Sequence, residues 1–131
     1  MTILVAYVPR PEGEAALDKG IDIAKRRNEL LVVVNASPGG GKVDPSAVSV
    51  TDAEKVQGKL AQSGVNAEFK QLVRGKDAVE EIELLVESMN VSVLVIGLRK
   101  RSAVGKLIMG SVAHDLLMTV NCPVLAVKAG A

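Results

Sequence analysis

The stretch Val91-Ser92-Val93-Leu94-Val95-Ile96-Gly97 decides the fold. A short apolar run rich in branched side chains, closed by a glycine, reads as a strand buried on both faces. A basic, glycine-punctuated loop follows, spanning residues 97–111. A helix then begins at about Ser111, with Val112, Leu116 and Val120 facing inward. Pro123, Val124, Leu125, Ala126 and Val127 complete the unit as a further strand. Strand, helix and strand in this order form a parallel pair with a right-handed crossover.

The same alternation extends back to the first residues. Ile3 to Val8 is an apolar run stopped by Pro9. Pro11-Glu12 opens a helix with Ala16, Leu17, Ile21 and Ala24 on one face, since proline and acid suit a first turn. Leu30 to Val34 is a continuous β-branched run, as in a central strand. Residues 37–46 read as a loop. Thr51 or Asp52 is a candidate cap for a second helix carrying Ala53, Val56, Leu60 and Ala61 and ending at Gly64. Residues 67–73 follow a mostly period-two pattern, expected of a less buried edge strand. Asp77 caps a third helix with Val79, Ile82, Val86 and Met89 on one face. The order βαβαβαβαβ gives an α/β domain over residues 1–131, an open parallel sheet with helices on both faces.

Composition agrees. Of 131 residues, 48% are hydrophobic but 2% aromatic, so the core is built from Val, Leu, Ile and Ala. The net charge of +1 provides no global field toward nucleic acid or a membrane. Tyr7 and Phe69 are too few for a base-stacking surface. No apolar run reaches membrane-spanning length. The single Cys122 and an opening unlike a signal peptide lead to the expectation of a cytoplasmic protein without nucleic acid or membrane partners.

In open α/β sheets, ligands bind beyond the carboxyl ends of the strands. Two segments compete there: Val8-Pro9-Arg10-Pro11 and the loop 97–111. The loop has the attributes of a phosphate site. Gly97 and Gly110 suggest close backbone approach and unusual dihedrals. Gly110-Ser111 stands at a helix start, where free N–H groups and the dipole favour anions. Arg99, Lys100, Arg101 and Lys106 add positive charge. On these residues alone, the alternative is a solvated basic loop with a serine N-cap. Neither a G-x-x-x-x-G-K-[ST] loop nor a G-x-G-x-x-G turn is present.

The runs Val95-Ile96-Gly97-Leu98-Arg99-Lys100, Gly110-Ser111-Val112 and Cys122-Pro123-Val124-Leu125-Ala126-Val127 resemble those of the universal stress protein (UspA) family. So does the opening Ile3-Leu4-Val5 with Pro11-Glu12-Gly13-Glu14-Ala15-Ala16-Leu17. The resemblance covers essentially the whole chain. It implies an adenine-nucleotide alpha-hydrolase-like fold, a five-stranded parallel sheet of order 3-2-1-4-5, and homodimers paired through the last strand. It further implies a stress-response protein that binds ATP or another adenine nucleotide, with Mg2+ only where ATP is the ligand. The family's G-x2-G-x9-G-[ST] pattern falls on Gly97, Lys100 and Gly110-Ser111, so lysine replaces the second glycine. The family's acid at the end of the first strand falls on Val8, so that carboxylate is missing.

The expected phosphate contacts are therefore Gly97, Arg99, Lys100, Arg101, Lys106, Gly110, Ser111 and Val112. The expected base and ribose contacts are Ala6, Tyr7, Val8 and Ala36. A general base, nucleophile and metal carboxylate do not come together in the sequence, so no catalytic residue and no metal ligand is assigned and at most slow ATP hydrolysis or self-phosphorylation is expected. The alternative is a dimeric interaction module of the same fold that has lost nucleotide binding. His114 reads as a surface residue. Cys122 reads as a small buried thiol, and Met109 and Met118 as core filler. Glu80, Glu81, Glu83 and Glu87 read as a solvated helix face.

Overall fold

The structure, a computed structural model, describes residues 1–39, 46–100 and 107–129, with Lys100 and Leu107 described through their backbone. The elements are β1 (Thr2–Ala6), α1 (Pro11–Arg27), β2 (Leu30–Ser37), α2 (Val50–Ser63), β3 (Ala67–Val73), α3 (Ala78–Ser88), β4 (Val91–Lys100), β5 (Leu107–Ile108), α4 (Ser111–Thr119) and β6 (Val124–Lys128). Strands β3, β2, β1, β4 and β6 lie side by side, all parallel. This is the expected five-stranded order, with β6 as its last strand. The two-residue β5 is an antiparallel addition against the end of β4, pairing Arg99 with Ile108 and Lys100 with Leu107.

Period-two alternation along the central strands divides the core into two layers. Ile3, Val5, Leu31, Val33 and Val95 pack with Leu17 and Ala24 of α1 and Val56 and Leu60 of α2. Leu4, Val32, Val34, Leu94 and Ile96 pack on the other face with Ile82 of α3 and Leu116 of α4. Because β1 and β4 are central, both of their carboxyl ends open at one edge of the molecule. That edge is where the strand order reverses.

Several expectations need correction. Strand β4 does not stop at Ile96 but continues to Lys100, because Gly97 and Leu98 pair with β6 and Arg99 and Lys100 pair with β5. The first four residues of the expected loop, 97–100, are therefore strand. The cap of α2 is Ser49, not Thr51 or Asp52. Asp52 is the third helical residue, and its carboxylate returns a bond to the Ser49 N–H, a complete capping box. Ala61 is exposed. Met89 follows the end of α3 as its C-cap. Val112 is exposed because it lies in the first turn of α4 at the sheet's open edge, and Met118 is 70% exposed, so neither faces the core. Met109 and Cys122 do pack against the α3/α4 layer.

Glu81 is the largest departure. It is fully buried, and Arg74 Nε and Nη2 donate to its two oxygens at 2.9 and 2.8 Å. A bidentate guanidinium makes burial of this carboxylate tolerable. The Arg74 hydrogen bonds hold the Glu81 carboxyl below the usual range against the opposing effect of burial.

Candidate functional site

A cavity of about 240 Å³ opens over the carboxyl ends of β1, β2 and β4. Its floor is apolar, from Ala6, Val34, Ile82, Ile96 and Leu116. Its walls come from three helix starts: Arg10, Glu12 and Gly13 of α1, Ala78 of α3, and Gly110, Ser111, Val112 and Ala113 of α4.

The helix starts differ in how their free N–H groups are served. Ser49 accepts from Asp52 N at the start of α2, and Asp77 accepts from Glu80 N at the start of α3. The N-caps of α1 and α4 are Arg10 and Gly110, and neither side chain makes a capping bond. Both uncapped starts line the cavity. The first turn of a helix has N–H groups without intrahelical acceptors and carries the positive end of the dipole. Ser111 is the first helical residue of α4 rather than its cap, so the reading as a serine N-cap is overturned.

Two glycines at the site act differently from expectation. Neither Gly97 nor Gly110 has a positive φ, a conformation that glycines 39, 64 and 75 adopt. At Gly97 a Cβ would fall on the Glu12 carbonyl, so this glycine lets α1 pack directly on β4. At Gly110 the backbone is ordinary extended chain (φ −64°, ψ 161°), and the nearest atom to a Cβ would be Arg99 Nη2 at 3.9 Å. The space beside Gly110 is thus open toward the cavity and flanked by a guanidinium.

Arg99 extends from the end of β4 to this position, and its Nε lies 3.3 Å from Glu12 Oε2. Arg10 crosses the other wall, its Nη2 donating to Ser46 Oγ at 2.6 Å. Asn35 ties that wall together. Its Nδ2 donates to the carbonyls of Tyr7 (2.9 Å) and Ser46 (2.7 Å), and its Oδ1 accepts from Val48 N at 3.1 Å. Tyr7 is buried, and its hydroxyl donates to Glu14 Oε1 at 2.5 Å. Burial, then the bond to Glu14, raises the phenol well above its ordinary range. Lys59 reaches Glu14 and Asp18 and so joins α2 to the same side of α1.

Among the residues expected from sequence, Ala6, Tyr7, Val8, Ala36, Gly97, Arg99, Gly110, Ser111 and Val112 all line this one cavity. The Tyr7 backbone is already engaged, its N–H with Val34 O and its carbonyl with Asn35. Arg101 and Lys106 lie outside the described residues, and the Lys100 backbone is in β4. Sequence reasoning missed Arg10, Glu12 and Asn35. Arg10 and Glu12 stood in the competing segment and the helix start beside it. Asn35 was visible as the polar residue ending an apolar strand, a position that needs a reason.

The cavity also contains a carboxylate, that of Glu12 from the first turn of α1. Among the described residues, no group of three or more His, Cys, Asp or Glu is placed to hold a metal ion. Nor is any helix of the described residues long and apolar enough to cross a membrane.

Comparison with known proteins gives a consistent result. The sequence model of the Universal stress protein family matches residues 1–128. Over 126 residues, 96% of both chains, the sequence is 44% identical to a universal stress protein of Mycolicibacterium smegmatis. The fold matches a universal stress protein from Archaeoglobus fulgidus with a TM-score of 0.73 at 30% identity, covering 97% of each chain. It also matches the Archaeoglobus fulgidus universal stress protein solved in complex with dAMP, with a TM-score of 0.71 at 24% identity over 97% of this chain and 96% of that one. Motifs, sheet order and relatives converge, and the chain belongs to the universal stress protein family.

Proposed function

We propose that the cavity binds an adenine nucleotide and that the protein acts as a non-catalytic, nucleotide-responsive member of its family. The observation that carries this reading is the pair of uncapped helix starts facing one cavity. Helices α1 and α4 leave their first N–H groups without side-chain acceptors, whereas α2 and α3 are capped. An anion is the natural occupant of such a position. The phosphate would sit on the N–H groups of Ser111 and Val112 beside the open face of Gly110, with Arg99 as its counter-charge. Gly97 serves by seating α1. Lys100, Arg101 and Lys106 would add charge around the phosphates, and Mg2+ would enter only with ATP. Ala6, Tyr7, Val8 and Ala36 would form the base and ribose end, on the apolar part of the cavity. The dAMP bound by a universal stress protein of the same fold supports an adenine nucleotide as the ligand class.

Isothermal titration of the purified chain with AMP, cyclic AMP and ATP tests the reading. Saturable heat is expected, and Ser111→Glu, which places a carboxylate in the phosphate position, should abolish it. No heat with any of the three at millimolar concentration would overturn it in favour of an interaction module of the same fold.

A second part of the proposal concerns assembly. Strand β6 is the sheet's terminal strand, with Val124, Leu125 and Val127 half-buried and its outer edge unpaired within the described chain. An open apolar edge of this kind is covered by a partner in stable proteins. A second copy related by a two-fold axis would pair with it, giving a homodimer through residues 123–127.

A further inference from the structure

The anion-facing cavity contains a carboxylate, and its placement affects which anions the site accepts. Glu12 is 7% exposed and enters from the first turn of α1. Its Oε2 lies 3.3 Å from Arg99 Nε. The Nη2 of the same guanidinium is the nearest atom to the missing Cβ of Gly110, at 3.9 Å. One side chain therefore spans from Glu12 to the first turn of α4. The backbone of Glu12 is fixed there, because its carbonyl is packed where Gly97 lacks a Cβ.

We propose that Glu12 is a specificity-determining residue of this cavity, one that disfavours phosphate ligands in proportion to their charge. The inference rests on the nucleotide reading above. With Glu12 ionised, the positive charge of Arg99 is matched before any ligand arrives, and the site offers the net field of an ion pair rather than of a cation. A buried carboxylate is screened little by salt. Each further unit of ligand charge near α4 is repelled by Glu12 as it is attracted by Arg99, so the pair gives added charge little net gain. The ligand class favoured is a nucleoside monophosphate or cyclic monophosphate, in which a single phosphate sits at the helix start. A triphosphate brings about two additional charges into the same field, a difference worth about tenfold in relative affinity at separations of ~10 Å in a partly solvated site.

The test measures affinities of AMP and ATP, without divalent metal and at one ionic strength, for the unaltered protein, Glu12→Gln and Arg99→Gln. Glu12→Gln keeps the shape and one acceptor oxygen but removes the charge. It should improve ATP relative to AMP by about tenfold, and Arg99→Gln should move the ratio the opposite way. A purely structural role for Glu12 would weaken both ligands alike and leave the ratio unchanged. A constant ratio across the three proteins, with nucleotide still bound, overturns the role of Glu12 and leaves the nucleotide site standing. Absence of binding of either nucleotide to any of the three overturns both.

Discussion

Gly97 keeps the close backbone approach expected of it but not the unusual dihedral. The sequence marks it as a site of close backbone approach, and the close approach is real. The approaching group is the Glu12 carbonyl of α1. Gly97→Ala should therefore be an overpacking change that costs about 1–3 kcal/mol, seen as a lower midpoint in urea unfolding. Gly110→Ala meets open space in the protein, so it should leave stability nearly unchanged and weaken nucleotide binding. Glu81 was misread because a helical pattern does not reveal what lies opposite it. Its partner Arg74 sits in the preceding turn, and the pairing exists only once β3 and α3 are packed. The folded Glu81 carboxyl titrates below its unfolded value, so the unfolded chain binds the proton first. The pair's stabilisation is present at neutral pH, above the unfolded value, and is lost as pH falls through the folded value. Arg74→Ala should accordingly destabilise the protein at pH 7, with the difference from the unaltered chain narrowing as pH falls below the ordinary carboxylate range. Melting temperatures measured across that range would check the sign.

At the scale of elements, almost all of the architecture was readable. Continuous β-branched runs gave the buried central strands, and Gly64 and Asp77 marked a helix end and a helix start. The extension of β4 to Lys100 was not readable, since it depends on pairing with β6 and β5, contacts between segments apart in sequence. The site was half readable for the same reason. Its Gly110-Ser111 side is contiguous in sequence, whereas the opposite wall assembles from β1, α1, β2 and the segment leading into α2. Asn35 holds that wall with three hydrogen bonds. Asn35→Ala would leave the Val48 N–H and two carbonyls without this partner. A cost of about 2 kcal/mol is expected, together with faster amide exchange at Val48, measurable by hydrogen exchange.

At the scale of the whole molecule, the sheet has two unlike edges. Strand β3 is polar at alternate positions, as a solvated edge should be. Strand β6 is apolar. The bonds from Leu94 N to Pro123 O and from Ala129 N to Leu98 O set which groups face β4. By alternation, the N–H groups of Leu125 and Val127 point inward and that of Ala126 points out. Ala126→Pro removes an outward donor without removing a bond to β4. It should convert a dimer into a folded monomer, as read by sedimentation equilibrium with circular dichroism as the check on folding. A mass unchanged between the two proteins would place the assembly surface elsewhere. The charge balance of the whole chain, +1 overall, hides a local arrangement in which helix starts and arginines converge on one end.

Tyr7 gives this molecule an unusual optical property. The chain has no tryptophan and a single tyrosine, and that tyrosine lines the cavity with its hydroxyl tied to a carboxylate. All tyrosine emission of the protein thus originates at the wall of its proposed binding site. An occupant that stacks near the phenol, or loosens its bond to Glu14, changes the brightness of the entire sample, so the unlabelled protein carries its own occupancy gauge.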